Sequence, residues 1–344
     1  MVDLTQEIAA SLDGRSLHLI LMPTEACNFR CTYCYEDFKH GRMAPEIVRG
    51  VKRHMTRRAP DLQRLALTWF GGEPLLTLDI VEGIMLHAAK LARQHPELSV
   101  TSNMTTNGYL LDHDVLDRLL ELGVRSFQVS LDGGRAAHDQ TRRRADGGAT
   151  FDRVWGNLVA MRAHSGKFDV VVRVHVHRGN VDEIESFVEQ YARDLGGDRR
   201  FVLFPKPVSP LGGPNDTTFP FLERAAADEM ARDVVRRARA RGLQAVEAEH
   251  LQPICYATRG NSFLVRADGR LGKCTVALDH PTNQVGRLYP SGRVDVTTEL
   301  VLPWMRGLWS GDTGEQGCPK RGLADDLAPA AGSRPVQLRL TNRN

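Results

Sequence analysis

An α/β fold built on a parallel sheet is predicted for this chain of 344 residues, on two observations. Between residues 16 and 207, apolar strand-like runs alternate six times with stretches of helical periodicity, joined by short connections. The segments of unusual composition all fall directly after a strand, at the end where parallel α/β sheets place their chemistry. The pattern leaves open whether the sheet curls into a barrel or is doubly wound.

The elements follow in order. Residues 16–22 form the first strand, followed by a cysteine-rich loop and a helix over 44–58. Strand 65–70 leads through Gly71-Gly72-Glu73-Pro74 to helix 78–94. Strand 98–105 leads through Thr106-Asn107-Gly108 to helix 112–122. Strand 126–131 runs into Asp132-Gly133-Gly134, a loop, and helix 151–164. Strand 170–176 precedes helix 181–195, and strand 201–204 ends at Pro205. Residues 209–219 turn rich in Pro, Gly and Asn, the mark of a linker or a substrate-facing loop, and 221–241 is strongly helical and charged.

Hydrophobic residues make up 42% of the chain, enough for a core larger than one average domain. The net charge of +3 points to no nucleic-acid surface, and the basic runs 142–144 and 236–241 read as solvated faces. No run of eighteen apolar residues occurs, and the N-terminus lacks a signal-peptide pattern. A cytoplasmic protein with reduced thiols is expected, without a membrane partner.

Three of the six cysteines lie within eight residues, Cys27, Cys31 and Cys34. Three thiolates on one loop hold a metal centre and leave a coordination position vacant. An iron–sulfur cube takes four cysteines, so three suggest a cluster with one iron open to a small molecule. Zinc suits clustered thiolates equally, but it would need a fourth ligand, and His40 stands outside any familiar zinc spacing. Disulfides fit less well, since three is odd and nothing marks secretion.

Cys-x3-Cys-x2-Cys with Tyr33 before the last cysteine resembles the signature loop of radical S-adenosylmethionine (radical SAM) enzymes. The resemblance implies that Cys27, Cys31 and Cys34 hold a [4Fe–4S] cluster whose open iron is chelated by SAM. An electron from an external low-potential donor then cleaves SAM to methionine and a 5′-deoxyadenosyl radical, which abstracts a substrate hydrogen. It also favours a partial (β/α)6 TIM-like barrel over the doubly wound sheet. Tyr33 resembles the family's adenine-stacking aromatic.

Gly71-Gly72-Glu73-Pro74 by itself reads as a strand-to-helix turn. In this context it resembles the family motif whose backbone and glutamate, here Gly72 and Glu73, receive SAM's amino group. Two glycines let backbone approach closely, and a carboxylate suits an ammonium. Ser130-Leu131-Asp132-Gly133 with His138, Asp139 and Arg142 is similar to a segment of radical SAM enzymes that carry auxiliary-cluster domains. The match implies that Ser130 and Arg142 contact the SAM carboxylate or ribose, a forked cation being the natural partner of a carboxylate. Arg143 and Arg144 offer alternative registers. Asn107 reads as a turn cap. Arg173 and His175, two apart on one strand face, suit a barrel-interior contact or a hydrogen-bonded core pair equally.

Cys255, Cys274 and Cys318 remain. Buried single cysteines act as small hydrophobes, but Cys255, thirteen residues, then Gly269-x4-Cys274 resembles the opening of SPASM and twitch domains, which carry auxiliary [4Fe–4S] clusters. A hairpin turn over 267–270 would bring Cys255 and Cys274 together, with Cys318 as third ligand. A full SPASM domain has seven cysteines, and Arg321 stands where Cys-x2-Cys would put a partner. The fourth ligand is therefore open, His280, Asp279 or Asp325 being candidates, or the site is degenerate. The expected divisions are an extension (1–15), the barrel (16–208), a linker and bridging helix (209–250), a SPASM/twitch-like auxiliary-cluster domain (251–322) and a tail (323–344).

By analogy within the family, the expected activity cross-links or oxidises a residue of a ribosomally made peptide. Dehydrogenation of a small-molecule alcohol is the alternative, and a zinc-stabilised binding protein the non-enzymatic one. Thr275, where sulfatase-maturing enzymes carry Asp, argues against that branch. Only about fifteen residues precede the barrel, too few for a leader-binding domain, so a separate recognition protein or direct barrel binding is expected.

Overall fold

The computed structural model describes residues 4–247, 254–323 and 336–337. Six parallel strands stand side by side in chain order: β1 (Ser16–Leu21), β2 (Arg64–Trp69), β3 (Ser99–Thr106), β4 (Val124–Leu131), β5 (Asp169–Val176) and β6 (Phe201–Pro207). Helices α1 (Leu4–Leu12), α2 (Pro45–Arg58), α3 (Leu78–Gln94), α4 (His113–Glu121), α5 (Arg135–Thr141), α6 (Phe151–Ala163), α7 (Ile184–Leu195) and α8 (Arg224–Ala240) complete the layer. β6 does not pair with β1, so the barrel is partial, as expected. The predicted strand end at Pro205 is wrong by two residues. β6 is the outer strand of the sheet, where a proline is tolerated because no donor is needed on the open side.

Burial alternates along the strands. On β5, Val170, Val172, Val174 and Val176 are buried, while Val171, Arg173 and His175 are only half-buried. The apolar row is buried, and the other row, half-buried, forms the inner side of the partial barrel. That row is polar across the sheet: His18 pairs with Thr68 (2.8 Å), Gln128 donates to Thr105 (3.3 Å), and Arg173 donates to Ser130. A row of this kind offers hydrogen-bond donors and acceptors on the inner side of the sheet.

Beyond β1 the same sheet continues with β7 (Ser262–Val265), parallel to β1 through His18 and Ser262. A meander follows: β8 (Arg270–Gly272), β9 (Gly286–Leu288), β10 (Val294–Val296) and β11 (Val336–Gln337). The expected hairpin turn is present, with Gly269 at φ +85° and its N–H donated to Arg266 O (3.0 Å). One apolar core runs through both parts, from Leu67 and Val172 to Leu271 and Trp304.

The segment expected as linker and bridging helix divides. α8 buries Ala227, Val234, Val235 and Ala238 and packs on β6, while Ala245 forms a bridge to Leu203. These residues therefore complete the sixth β/α unit. The N-terminal extension is helical, and α1 docks on the segment that leads into β7: Gly260 N–H donates to Ser11 O (2.9 Å) and Arg259 pairs with Glu7 (2.9 Å). Most of the expected tail lies outside the described residues.

The meander is locked to the start of the cysteine loop by a buried ion pair. Arg266 Nη2 lies 2.6 Å from Glu25 Oε2 and its Nε 3.0 Å from Oε1, both side chains being buried. Removing one charge leaves the other buried and unpaired. Glu25→Gln is therefore expected to lower the unfolding free energy by about 3 kcal/mol in urea titrations. A loss below about 1 kcal/mol would mean that the pair is effectively solvated.

Candidate active site

The rim at the carboxyl ends of the strands collects the unusual segments. The cysteine loop is pinned from three sides. Phe29–Cys31 forms a two-stranded ribbon with Arg142–Arg144, in which Cys31 faces Arg142. Glu73 N–H donates to Ala26 O (2.9 Å), and Thr32 N–H to Thr141 O (2.9 Å). Here the two glycines of 71–74 find their use. Gly71 sits at φ +128°, and a Cβ on Gly72 would stand 2.7 Å from Glu25 O and 2.6 Å from the Ala26 carbonyl carbon. The close approach they allow is to the cysteine loop's own backbone.

Glu73 differs from the expectation of a SAM-facing carboxylate. It is fully buried; Oε1 accepts from Leu75 N–H (3.0 Å) and the Thr106 hydroxyl (2.8 Å), and Oε2 from Asn107 N–H (2.7 Å). Its carboxylate ties the β2 turn to the β3 turn, which leaves the turn's backbone to meet an ammonium. Asn107 caps its turn through Tyr109 N–H (3.0 Å), and its amide also reaches Asn28 (2.8 Å) and Cys27 Sγ (3.9 Å).

Arg142 is the inward register. It is buried, whereas Arg143 is exposed and Arg144 pairs with Asp146 (2.7 Å). Its Nη1 donates to the Tyr33 hydroxyl (3.0 Å), and its buried Nε has no partner. A buried guanidinium N–H beside Cys31 without an acceptor is a place for an anionic ligand atom. Ser130 is buried and its Oγ accepts from Arg173 Nε (3.2 Å) and Nη2 (3.0 Å). Tyr33 is half-buried, its ring edge-on to His175 (5.2 Å) and Phe219 (5.4 Å). The loop 209–219 brings Phe219 there and lies across the cysteine loop, with Asn215 Nδ2 donating to Cys34 O (2.9 Å).

The second cysteine trio also assembles. Cys255 N–H donates to Gln316 O (2.8 Å), two residues before Cys318. The Tyr256 hydroxyl bonds to Thr275 Oγ1 (2.6 Å), and Asn283 clamps Cys274 through both its N–H (2.9 Å) and C=O (2.8 Å). Among the fourth-ligand candidates, Asp279 pairs with Arg266 (3.1 Å) and His280 Nδ1 accepts from Thr282. Asp325 lies outside the described residues.

Burial pushes the thiols of Cys27 and Cys255 up to about 12 and raises those of Cys31, Cys34 and Cys274. Such groups become thiolates against a positive metal centre, with release of protons. A single tetrahedral zinc with Zn–S near 2.3 Å would draw its sulfurs to about 4 Å of one another. Among the described residues, the one trio of ligand atoms gathered within 4.8 Å is His113, Asp117 and His164, and neither cysteine trio is that tight.

The histidine trio is itself no metal site. Gly166 N–H donates to His164 Nδ1 (2.8 Å), so that nitrogen carries no proton and Nε2 must donate to Asp117 (2.6 Å). A ligating histidine needs the reverse, a bare nitrogen toward the metal and a donating one behind it.

A family model described as the Radical SAM superfamily matches residues 21–191, which contain the first cysteine trio, Gly72, Glu73, Ser130 and Arg142. The GTP 3′,8-cyclase of Paenarthrobacter nicotinovorans is 33% identical over 334 residues, covering 86% of each chain. The chain belongs to the radical SAM superfamily. Such a member uses a [4Fe–4S] cluster and SAM. Other relatives match less of their length. The AdoMet-dependent heme synthase of Methanosarcina barkeri is 26% identical over 54% of this chain and 49% of its own. The sporulation killing factor maturation protein SkfB of Bacillus subtilis is 26% identical over 56% of this chain and 44% of its own. The chain thus spans about half of the first curated relatives it matches. In fold, this radical SAM protein resembles anSMEcpe with bound AdoMet (TM-score 0.62, 17% identity, 79% of this chain and 75% of that one). It also resembles Streptococcus suis SuiB bound to its precursor peptide SuiA (TM-score 0.55, 14% identity, 79% and 63%). No helix among the described residues is long and apolar enough to cross a membrane.

Proposed function

We propose that this radical SAM enzyme abstracts a hydrogen atom from a residue of a ribosomally made peptide, which is then cross-linked or oxidised, with an auxiliary [4Fe–4S] cluster held by Cys255, Cys274 and Cys318. When bound, the first cluster and SAM supply a 5′-deoxyadenosyl radical by one-electron cleavage of SAM, the electron coming from an external low-potential donor. Cys27, Cys31 and Cys34 hold that cluster. The backbone at Gly72 and Glu73 takes the SAM ammonium, Arg142 offers its free Nε–H to the carboxylate, Ser130 is presented with Arg173, and Tyr33 borders the adenine. Loop 209–219 keeps water from the lumen, with Phe219 over Tyr33.

The observation that carries the auxiliary role is a bridge between the two trios. Lys320, two residues after Cys318, donates to Leu211 O (2.9 Å), and four residues on Asn215 holds Cys34 O (2.9 Å). One loop thus touches the segments that carry both trios, which supports a role for the second in taking up an electron from product. The peptide reading rests on the names of SkfB and of SuiB with SuiA, and a separate leader-recognition protein remains part of it.

A purine nucleotide is the second reading, favoured by the cyclase matched over 86% of the chain. Lys206 at the end of β6 and Arg321 after Cys318 have no ion-pair partner among the described residues, which suits a phosphate. Anaerobic turnover with GTP separates the two. The peptide reading expects no GTP consumption and 5′-deoxyadenosine release that rises only with peptide; GTP-dependent release would replace it by the nucleotide reading. In either case Cys274→Ala is expected to spare SAM cleavage and lose product. Full product formation by that variant would remove the auxiliary role.

A further inference from the structure

We propose that Asp132, at the end of β4, is the positioning residue that sets both Tyr33 and Arg142 toward SAM. The inference rests on the SAM-binding part of the reading above and adds to it a residue that makes no contact with SAM itself.

The Asp132 carboxylate is fully buried, and three elements converge on it. The Tyr33 hydroxyl donates to Oδ1 (2.7 Å), from the loop between the second and third cysteines. His175 Nδ1, on β5, lies 3.0 Å from the same oxygen and 2.9 Å from the Tyr33 hydroxyl. A carboxylate only accepts, so Nδ1 carries the proton. The Thr141 hydroxyl donates to Oδ2 (2.5 Å) at the end of α5, one residue before Arg142. The circle closes because Arg142 Nη1 donates to the Tyr33 hydroxyl (3.0 Å).

Each remaining polar group of Asp132 is held as well. Its N–H donates to His138 Nδ1 (3.3 Å), whose other nitrogen bonds to Thr150 (3.0 Å), and its C=O accepts from Asn180 Nδ2 (3.0 Å). Burial opposes ionisation of the carboxyl, but the His175 hydrogen bond and the Arg142 charge outweigh it and hold the group well below the usual carboxylate range. Burial in turn pushes the His175 imidazole down to about 4, so it serves as a neutral donor.

The arrangement constrains exactly the two groups whose orientation SAM would feel. Rotating Tyr33 away frees Arg142 Nη1. Moving Arg142 shifts its unpartnered Nε, the one buried guanidinium hydrogen-bond donor of the site without an acceptor. Asp132 fixes both through hydrogen bonds to a charged group, which are stronger than neutral ones.

The test is a double-mutant cycle on SAM affinity, read from the SAM-induced change in the EPR signal of the reduced cluster in anaerobically reconstituted protein. Asp132→Asn and Tyr33→Phe are each expected to weaken SAM binding about tenfold. The double variant should be no weaker than Asp132→Asn alone, because both changes cut the same circuit. Unchanged affinity in Asp132→Asn, or effects that multiply in the double variant, would overturn the positioning role while leaving SAM binding in place. If Asp132→Asn fails to hold its cluster, Tyr33→Phe decides: about tenfold loss supports the role and wild-type affinity overturns it. A wild type without any SAM-induced change would remove the underlying reading and the positioning role with it.

Discussion

In a Cys31→Ala variant, 5′-deoxyadenosine release falls to background. Outer-shell partners of metal ligands alone carry about 10–100-fold, so loss of a direct ligand is expected to exceed about a hundredfold. Cys31 is also held by its backbone. Its backbone pairs with Arg142 in the ribbon, and its carbonyl accepts from Cys34 N–H (3.1 Å). A displaced cluster has no alternative thiolate there, since the remaining cysteines belong to the other trio. High-performance liquid chromatography of anaerobic reactions measures the nucleoside directly. Release at the wild-type rate would show that the trio does not hold the cluster that cleaves SAM.

Gly72→Ala is expected to be nearly as damaging, for a purely steric reason. The new methyl would meet the carbonyls of Glu25 and Ala26, which are backbone and unable to swing aside. Those residues lead straight into Cys27 and are held by the Glu25–Arg266 pair. Relief therefore requires the cysteine loop to move. Destabilisation of about 3 kcal/mol and a lowered iron content at the first trio are the expected outcomes, read by urea unfolding and iron assay. Gly83→Ala is the control, since its nearest neighbour is only the flexible tip of Lys52 at 3.2 Å. Equal tolerance of both substitutions would contradict the close packing of the β2 turn on the loop.

The barrel was legible because its strands are apolar on the helix-facing row, as Val170, Val172 and Val174 show. Helix α3 was visible in the same way, through Ile80, Val81, Ile84 and Ala88 at helical spacing. What local pattern cannot show is partnership over distance. That β7 extends the barrel's own sheet depends on pairing between His18 and Ser262, far apart in sequence. α8 was read as a bridge because nothing local reveals that its apolar stripe lies on β6.

The site divides along the same line. The cysteine motif and Gly71-Gly72 stand out in the sequence because each is a short segment with a chemical meaning of its own, whereas the choice of Arg142 over Arg143 and Arg144 as the inward residue needs the fold, which buries Arg142 alone of the three. That the Glu73 carboxylate joins two turns is not local information, since its three donors come from the β2 turn and the β3 turn. Asp132 was visible only as one letter of a motif. Its partners Tyr33, Thr141 and His175 come from three elements, and only the fold shows them meeting at one carboxylate. Spacing places His175 on the same strand face as Arg173, and the structure resolves that pair into two separate contacts, with Asp132 and Ser130.

The most direct test of two cysteine trios holding two clusters is iron and sulfide analysis with EPR on anaerobically reconstituted protein. About eight irons per chain, falling to about four when Cys27, Cys31 and Cys34 are all replaced by alanine, is the predicted result. Zinc in place of iron, without sulfide, would contradict the account.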